Sequence, residues 1–124
     1  MKNLVFCVLF FFYSLYLSIE IKAQTCDEIM EWVKSESFGT TYTSYNSDAI
    51  SEVTFYDVYV DYQSYYFAVV CFKDGYYGCN EYIYQVSSST ESYYSINYYN
   101  SAGKAFWDYI QPYNNNLGCT PDFN

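Results

Sequence analysis

The sequence predicts an α+β fold: a three-stranded antiparallel meander followed by two short helices, with an extra helix at the N-terminal side. Two observations carry that prediction. The stretch Phe67–Val86 reads as strand, Asp74-Gly75 turn and strand, and Asp-Gly supplies the positive-φ positions a tight hairpin needs. Its first half is apolar on both faces. Phe67, Val69 and Cys71 alternate with Ala68, Val70 and Phe72, the pattern of a central strand covered on both sides. A third observation supplies the cover: Ala105, Phe106, Tyr109 and Ile110 recur with the 3.6-residue period of a helix.

Taken in order, the chain opens with Lys2 and an apolar run over residues 4–19, then Glu20, Ile21, Lys22 and Ala23. This is the layout of a secretory signal peptide cleaved after Ala23, so residues 1–23 are set aside from the fold. The run is shorter than the ~20 residues of a spanning helix. An uncleaved anchor and a lipoprotein modified at Cys26 are the alternatives. The expected location is exported, periplasmic or extracellular, with no membrane span after cleavage.

Residues 24–46 form an N-terminal helix and lead-in. Thr25 is placed to cap, Asp27 and Glu28 sit in the first turn, and Ile29, Trp32 and Val33 make one stripe, giving a helix from 26 to about 36. Gly39–Ser44 is small and polar, a loop or extended lead-in. Residues 47–124 carry the main unit and a tail tied down by disulfide. Ile50–Tyr62 reads as a long strand. Val53 and Phe55 share one face, while Tyr56, Val58, Val60 and Tyr62 share the other. That phase switch predicts a bulge near Tyr56, with Asp57, Tyr59 and Asp61 wet. Gln63-Ser64 is expected to connect to the central strand. Ser87–Glu91 is a linker with capping residues, and residues 93–99 read as a helix with a strand as the alternative. Ser101-Ala102-Gly103 breaks it, Lys104–Ile110 is the second helix, and Pro112 with Asn114–Asn116 ends it.

The order of these pieces resembles the KTSC domain, a short module found alone in bacteria and at the C-terminus of some lysyl-tRNA synthetases. Tyr82-Ile83-Tyr84 matches its Tyr-x-Tyr motif, and Ser101-Ala102-Gly103 matches its Ser-x-Gly turn, with Phe106 and Ile110 following. The resemblance spans roughly residues 47 to 113. The chain departs from the pattern at Ser87, where the family has proline, and carries extra residues between Gly75 and Tyr82. The resemblance implies RNA binding. Composition opposes it: after Ala23 only Lys34, Lys73 and Lys104 are basic against thirteen carboxylates, with no Arg or His. Phosphate affinity comes from basic side chains, so no nucleic acid is expected as a partner.

The remaining chemistry is sparse. Past the signal stand Cys26, Cys71, Cys79 and Cys119, an even count that points to disulfides in an exported domain. Three pairings are open. The preferred one is Cys71–Cys79, stapling the hairpin, with Cys26–Cys119 tying the termini. A strict two-residue turn would set Cys71 opposite Gly78, so this pairing demands a bulge or wider loop. No Cys-x-x-Cys or His supports zinc, and Asp57 with Asp61 lacks an EF-hand spacing, so no metal and no cofactor are expected. Ser101 and Lys104 match Ser-x-x-Lys, but without the companion motifs of that enzyme class, and no catalytic residue is assigned. Nineteen tyrosines are the compositional oddity. Tyrosine covers half-buried strands and also populates binding surfaces. Tyr82 and Tyr84 point from one face with Ile83 on the other, as core under the C-terminal helices or as an exposed aromatic platform. The function expected is a small exported, non-catalytic interaction or structural module with an unknown protein partner. The alternatives are an inhibitor or immunity-type protein whose acidic surface captures a basic enzyme, and nucleic-acid binding by analogy with KTSC.

Overall fold

The structure, a computed structural model, describes residues 25–123. The signal-peptide segment expected over residues 1–23 lies outside them. The described chain is α+β, with three layers built on one sheet. Helix α1 (Cys26–Glu36) is followed by strands β1 (Thr40–Thr43), β2 (Ile50–Val60), β3 (Gln63–Lys73) and β4 (Cys79–Val86). Helices α2 (Thr90–Asn97) and α3 (Ala102–Tyr109) follow, then a 3₁₀ turn, Gln111–Tyr113. The sheet is antiparallel throughout, in the order β1-β2-β3-β4.

The meander therefore has four strands, not three. Thr40–Thr43 pairs with Phe55–Glu52 along β2. Its polar threonines suit an edge strand, and Tyr42 alone turns inward, against Phe55 and Tyr94. A second correction concerns β2. Its pairing with β3 is unbroken from Glu52↔Cys71 to Val60↔Gln63, and the irregularity falls between Ile50 and Glu52 rather than near Tyr56. The change of apolar phase has another cause: β2 is covered on both faces by different elements. Ile50, Val53 and Phe55 pack with Tyr94, Phe106 and Ile110 of the C-terminal helices. Val58 packs in a separate core with Met30 and Val33 of α1. The β2–β3 connection is Asp61-Tyr62, both left-handed (φ 53° and 66°), not Gln63-Ser64, which belongs to β3. Tyr62 is thus at an exposed turn tip and not on the β2 inner face.

Strand β3 is the common wall of both cores, as its two-sided apolar pattern requires. Ala68 and Val70 face α2 and α3, while Phe67 and Val69 face α1. On the β4 side, Tyr84 and Val86 join the first core and Ile83 the second. Helix α1 starts at Thr25, whose hydroxyl accepts from the Glu28 N–H at 3.1 Å. Its buried residues are Met30 and Val33, with Trp32 left at the margin, edge-on to Phe67. Helix α3 begins two residues earlier than the sequence suggests. Ser101 does not merely break the preceding helix; its Oγ accepts from the Lys104 N–H at 3.1 Å and caps α3, drawing Ala102 and Gly103 into the first turn. Among the described residues no helix is long and apolar enough to cross a membrane.

Two disulfides join these layers. Cys26 at the start of α1 is bonded to Cys119 in the tail (Cα–Cα 5.8 Å), and Cys71 of β3 to Cys79 of β4 (Cα–Cα 5.3 Å). The second needs the wider loop. Lys73 pairs with Cys79, and the Asp74 N–H donates to the Gly78 carbonyl at 3.1 Å, so five residues close the hairpin. Cys71 is opposite Glu81, which makes the bridge a diagonal one between neighbours on the same face. Gly75 and Gly78 both have positive φ (72° and 122°), which is why this loop is rich in glycine. The tail then runs past the outer edge of β4, where the Asn116 amide donates to the Gln85 carbonyl at 2.8 Å.

Candidate functional site

The sheet register gathers two loops at one end of the molecule. The end of β1, the start of β2 and the β3–β4 turn all lie there, since Thr43 pairs with Glu52, Ile50 with Phe72 and Lys73 with Cys79. Lys73 fastens them together. Its N–H donates to the Ala49 carbonyl at 2.7 Å, and its ammonium donates to the Ser47 carbonyl. The α2–α3 junction closes against the β1–β2 loop from the helical side, and between them is a cleft of about 390 Å³.

The residues displayed at this end are aromatic and polar. Tyr76 and Tyr77 stand fully in solvent, 100% and 98% exposed, at the tip of the loop closed by Cys71–Cys79. Tyr45 and Tyr99, 88% and 82% exposed, are on the two sides of the cleft. Tyrosine, serine, asparagine and glycine are the residue types that dominate loop-built recognition surfaces. The phenol gives large contact area with few rotors, and the small polar residues give adaptable hydrogen bonds. Two buried hydroxyls, those of Ser44 and Tyr94, lie beneath this end without a hydrogen bond of normal geometry. Burial pushes the Tyr94 phenol up to about 12, with the neighbouring Ser44 hydroxyl pulling it back.

The residues Tyr82, Tyr84, Ser101 and Gly103 separate into different roles. Tyr84 is core: it is 1% exposed, its ring meets Phe106 edge-on at 5.7 Å, and its hydroxyl shares a 2.8 Å hydrogen bond with Thr120. Burial pushes that phenol to about 12 as well. Tyr82 emerges from the same face but is half-buried, packed on Phe72 at 5.8 Å rather than under Phe106 and Ile110. Ser101 caps α3, and Gly103 lines the cleft beside it. The Ser-x-x-Lys pair does not bring its two functional groups together. Ser101 contacts only the backbone of Lys104, whose ammonium turns to Asp108 on the next turn, and that contact raises its basicity.

A second hollow of about 300 Å³ lies beside α2, lined by Tyr42, Tyr66, Glu91 and serines. There the Tyr42 hydroxyl donates to Glu91 Oε2 at 2.8 Å. Burial raises the Tyr42 phenol first, and the adjacent Glu91 carboxylate adds to it. Asp57 and Asp61 are exposed on β2 and its turn, and among the described residues no group of three or more His, Cys, Asp or Glu is placed to hold a metal. The loop-end cleft was not foreseeable from local pattern, because its walls come from segments about fifty residues apart. The only hint was the density of Tyr and Asn in each. No family model, curated protein or solved structure matches the chain.

Proposed function

We propose that the chain is a small exported, non-catalytic interaction module that meets a protein partner with the loop end of its sheet. One observation carries this reading: Tyr76 and Tyr77 are wholly exposed on a loop held by its own disulfide. A loop restrained before contact loses less conformational entropy on binding, so the area it presents converts to affinity more fully than that of a free loop. The core has no need of these two tyrosines, since both cores are filled by other side chains. Export is supported by the two disulfides, which persist in oxidising compartments. The KTSC resemblance rests on its sequence motifs alone, and the reading adopted does not extend to its RNA binding.

A pull-down from the medium or envelope fraction tests the proposal, comparing wild type with Tyr76→Ser/Tyr77→Ser. Loss of a specific protein with an unchanged melting temperature is the expected result. Capture of the same protein at the same yield by the double variant would overturn it. The acidic-inhibitor reading has its own support, because two of the three lysines among the described residues are spent in ion pairs, Lys34 with Glu81 and Lys104 with Asp108. Repeating the pull-down at high salt separates the two. A complex made by tyrosine contact survives, whereas one made by charge weakens.

A further inference from the structure

We infer that the cleft between the β1–β2 loop and the α2–α3 junction is a binding site for a neutral saccharide. Its size, about 390 Å³, is in the range of small-molecule sites. Its lining then excludes most ligand classes in turn. It contains no Leu, Ile, Val, Phe or Met, so an apolar ligand would find little apolar wall to replace water. It contains no lysine, and its one charged side chain is Asp48, so a phosphate or carboxylate ligand would meet repulsion. What remains is a set of groups that suits hydroxyls: Asp48 accepts, while Asn46 and Asn100 both donate and accept. None of these three side chains makes a hydrogen bond within the described protein that would have to be broken first.

Tyr45 and Tyr99 supply the other half of sugar recognition. The face of an aromatic ring is electron-rich, and the C–H groups on one side of a pyranose are weakly positive, so the two faces attract while both shed water. Both rings are largely exposed, which is wasteful on a closed surface and useful on one that receives a flat ligand. Rings beside amides and a carboxylate, in a cleft of this volume, fit one or two sugar residues.

The cleft lining does not include Tyr76 or Tyr77, so the two proposals fail separately. Ligand-observed NMR on the full disulfide-bonded chain is the test, with glucose, galactose, mannose, N-acetylglucosamine and their disaccharides as probes, and choline and inorganic phosphate alongside. The expected result is saturable binding of a neutral sugar with a dissociation constant on the order of millimolar, weak as befits so small a contact. Tyr99→Ala and Asn100→Ala should each weaken it about tenfold or more at unchanged melting temperature, a loss of roughly 1.4 kcal/mol. Tyr76→Ser/Tyr77→Ser should leave it unmoved. Absence of sugar binding at about fifty times that concentration would overturn the inference. So would binding that ignores Tyr99→Ala, or binding of choline or phosphate in place of the sugars, since an aromatic wall beside a carboxylate also attracts ammonium groups.

Discussion

Two tyrosines separated by one residue in β4 show how far identical side chains diverge. Removal of the Tyr84 ring leaves a cavity against Phe106 deep in the first core, so Tyr84→Ala should cost about 3–5 kcal/mol. Tyr84→Phe keeps the ring and loses the hydroxyl's bonds to Thr120 and Gln111, about 1–2 kcal/mol. Tyr82→Ala, on a half-buried ring, should cost clearly less than Tyr84→Ala. Thermal melts of the three variants beside wild type check the order, and a Tyr82→Ala that melts below Tyr84→Ala would contradict it. The same burial makes the protein sensitive to alkali. Tyr84 and Tyr94 ionise near 12 when folded and near 10 when unfolded, so the unfolded chain releases those protons first. Stability from this source is whole below pH 10 and drains away as pH rises toward 12. Denaturant midpoints at stepped pH should fall over that window, and Tyr84→Phe/Tyr94→Phe should flatten the fall.

Among the elements, the β2–β3 turn is the clearest departure from what its geometry prefers. A two-residue hairpin with both φ positive favours Asp-Gly, and here it is Asp61-Tyr62. Tyr62 is 95% exposed and has no packing to offset the left-handed backbone. Tyr62→Gly should therefore stabilise the chain by about 0.5–1 kcal/mol, strain relieved less the entropy glycine adds to the unfolded state. Chemical denaturation reads this directly, and a destabilised variant would show that the tyrosine makes contacts the turn depends on. What could be read from sequence follows the same logic. The two-sided pattern of β3, the capped helix at Thr25 and the stripe of α3 each repeat over enough residues to state their period. Thr40–Thr43 is too short and too polar to announce a strand, and only pairing with β2 makes it one. The phase change in β2 was legible but ambiguous, because a bulge and a second covering layer leave the same trace. Asp74-Gly75 announces a turn, and the Cys71–Cys79 pairing demands one wider than two residues, as the five-residue loop provides. The loop-end cleft had no local signature, since Tyr45 and Tyr99 come to one cleft only after folding.

At the level of the whole molecule, charge distribution rather than count governs encounters. Lys34 and Lys104 sit in ion pairs and Lys73 is held by a loop carbonyl, so these cations form no stripe that a phosphate backbone could follow. Filter binding with single-stranded and duplex RNA at about 150 mM salt should show no association at micromolar protein, and a micromolar constant would restore the RNA reading. The Cys26–Cys119 bond closes a loop of 93 residues, and Cys26→Ser/Cys119→Ser should cost about 4–5 kcal/mol in the chain-entropy view. That bond also has a role that stability does not measure. It holds the tail beside β4, where Asn116 occupies the Gln85 carbonyl on the outer edge of the sheet. Strand edges are templates for pairing with other chains, and the opposite edge, β1, offers only four residues. With the bond cut, the tail can leave β4, whose eight residues make the longer of the two edges. The disulfide is then a safety catch against self-association. A molecule kept in a reducing compartment should lose solubility before it loses its fold.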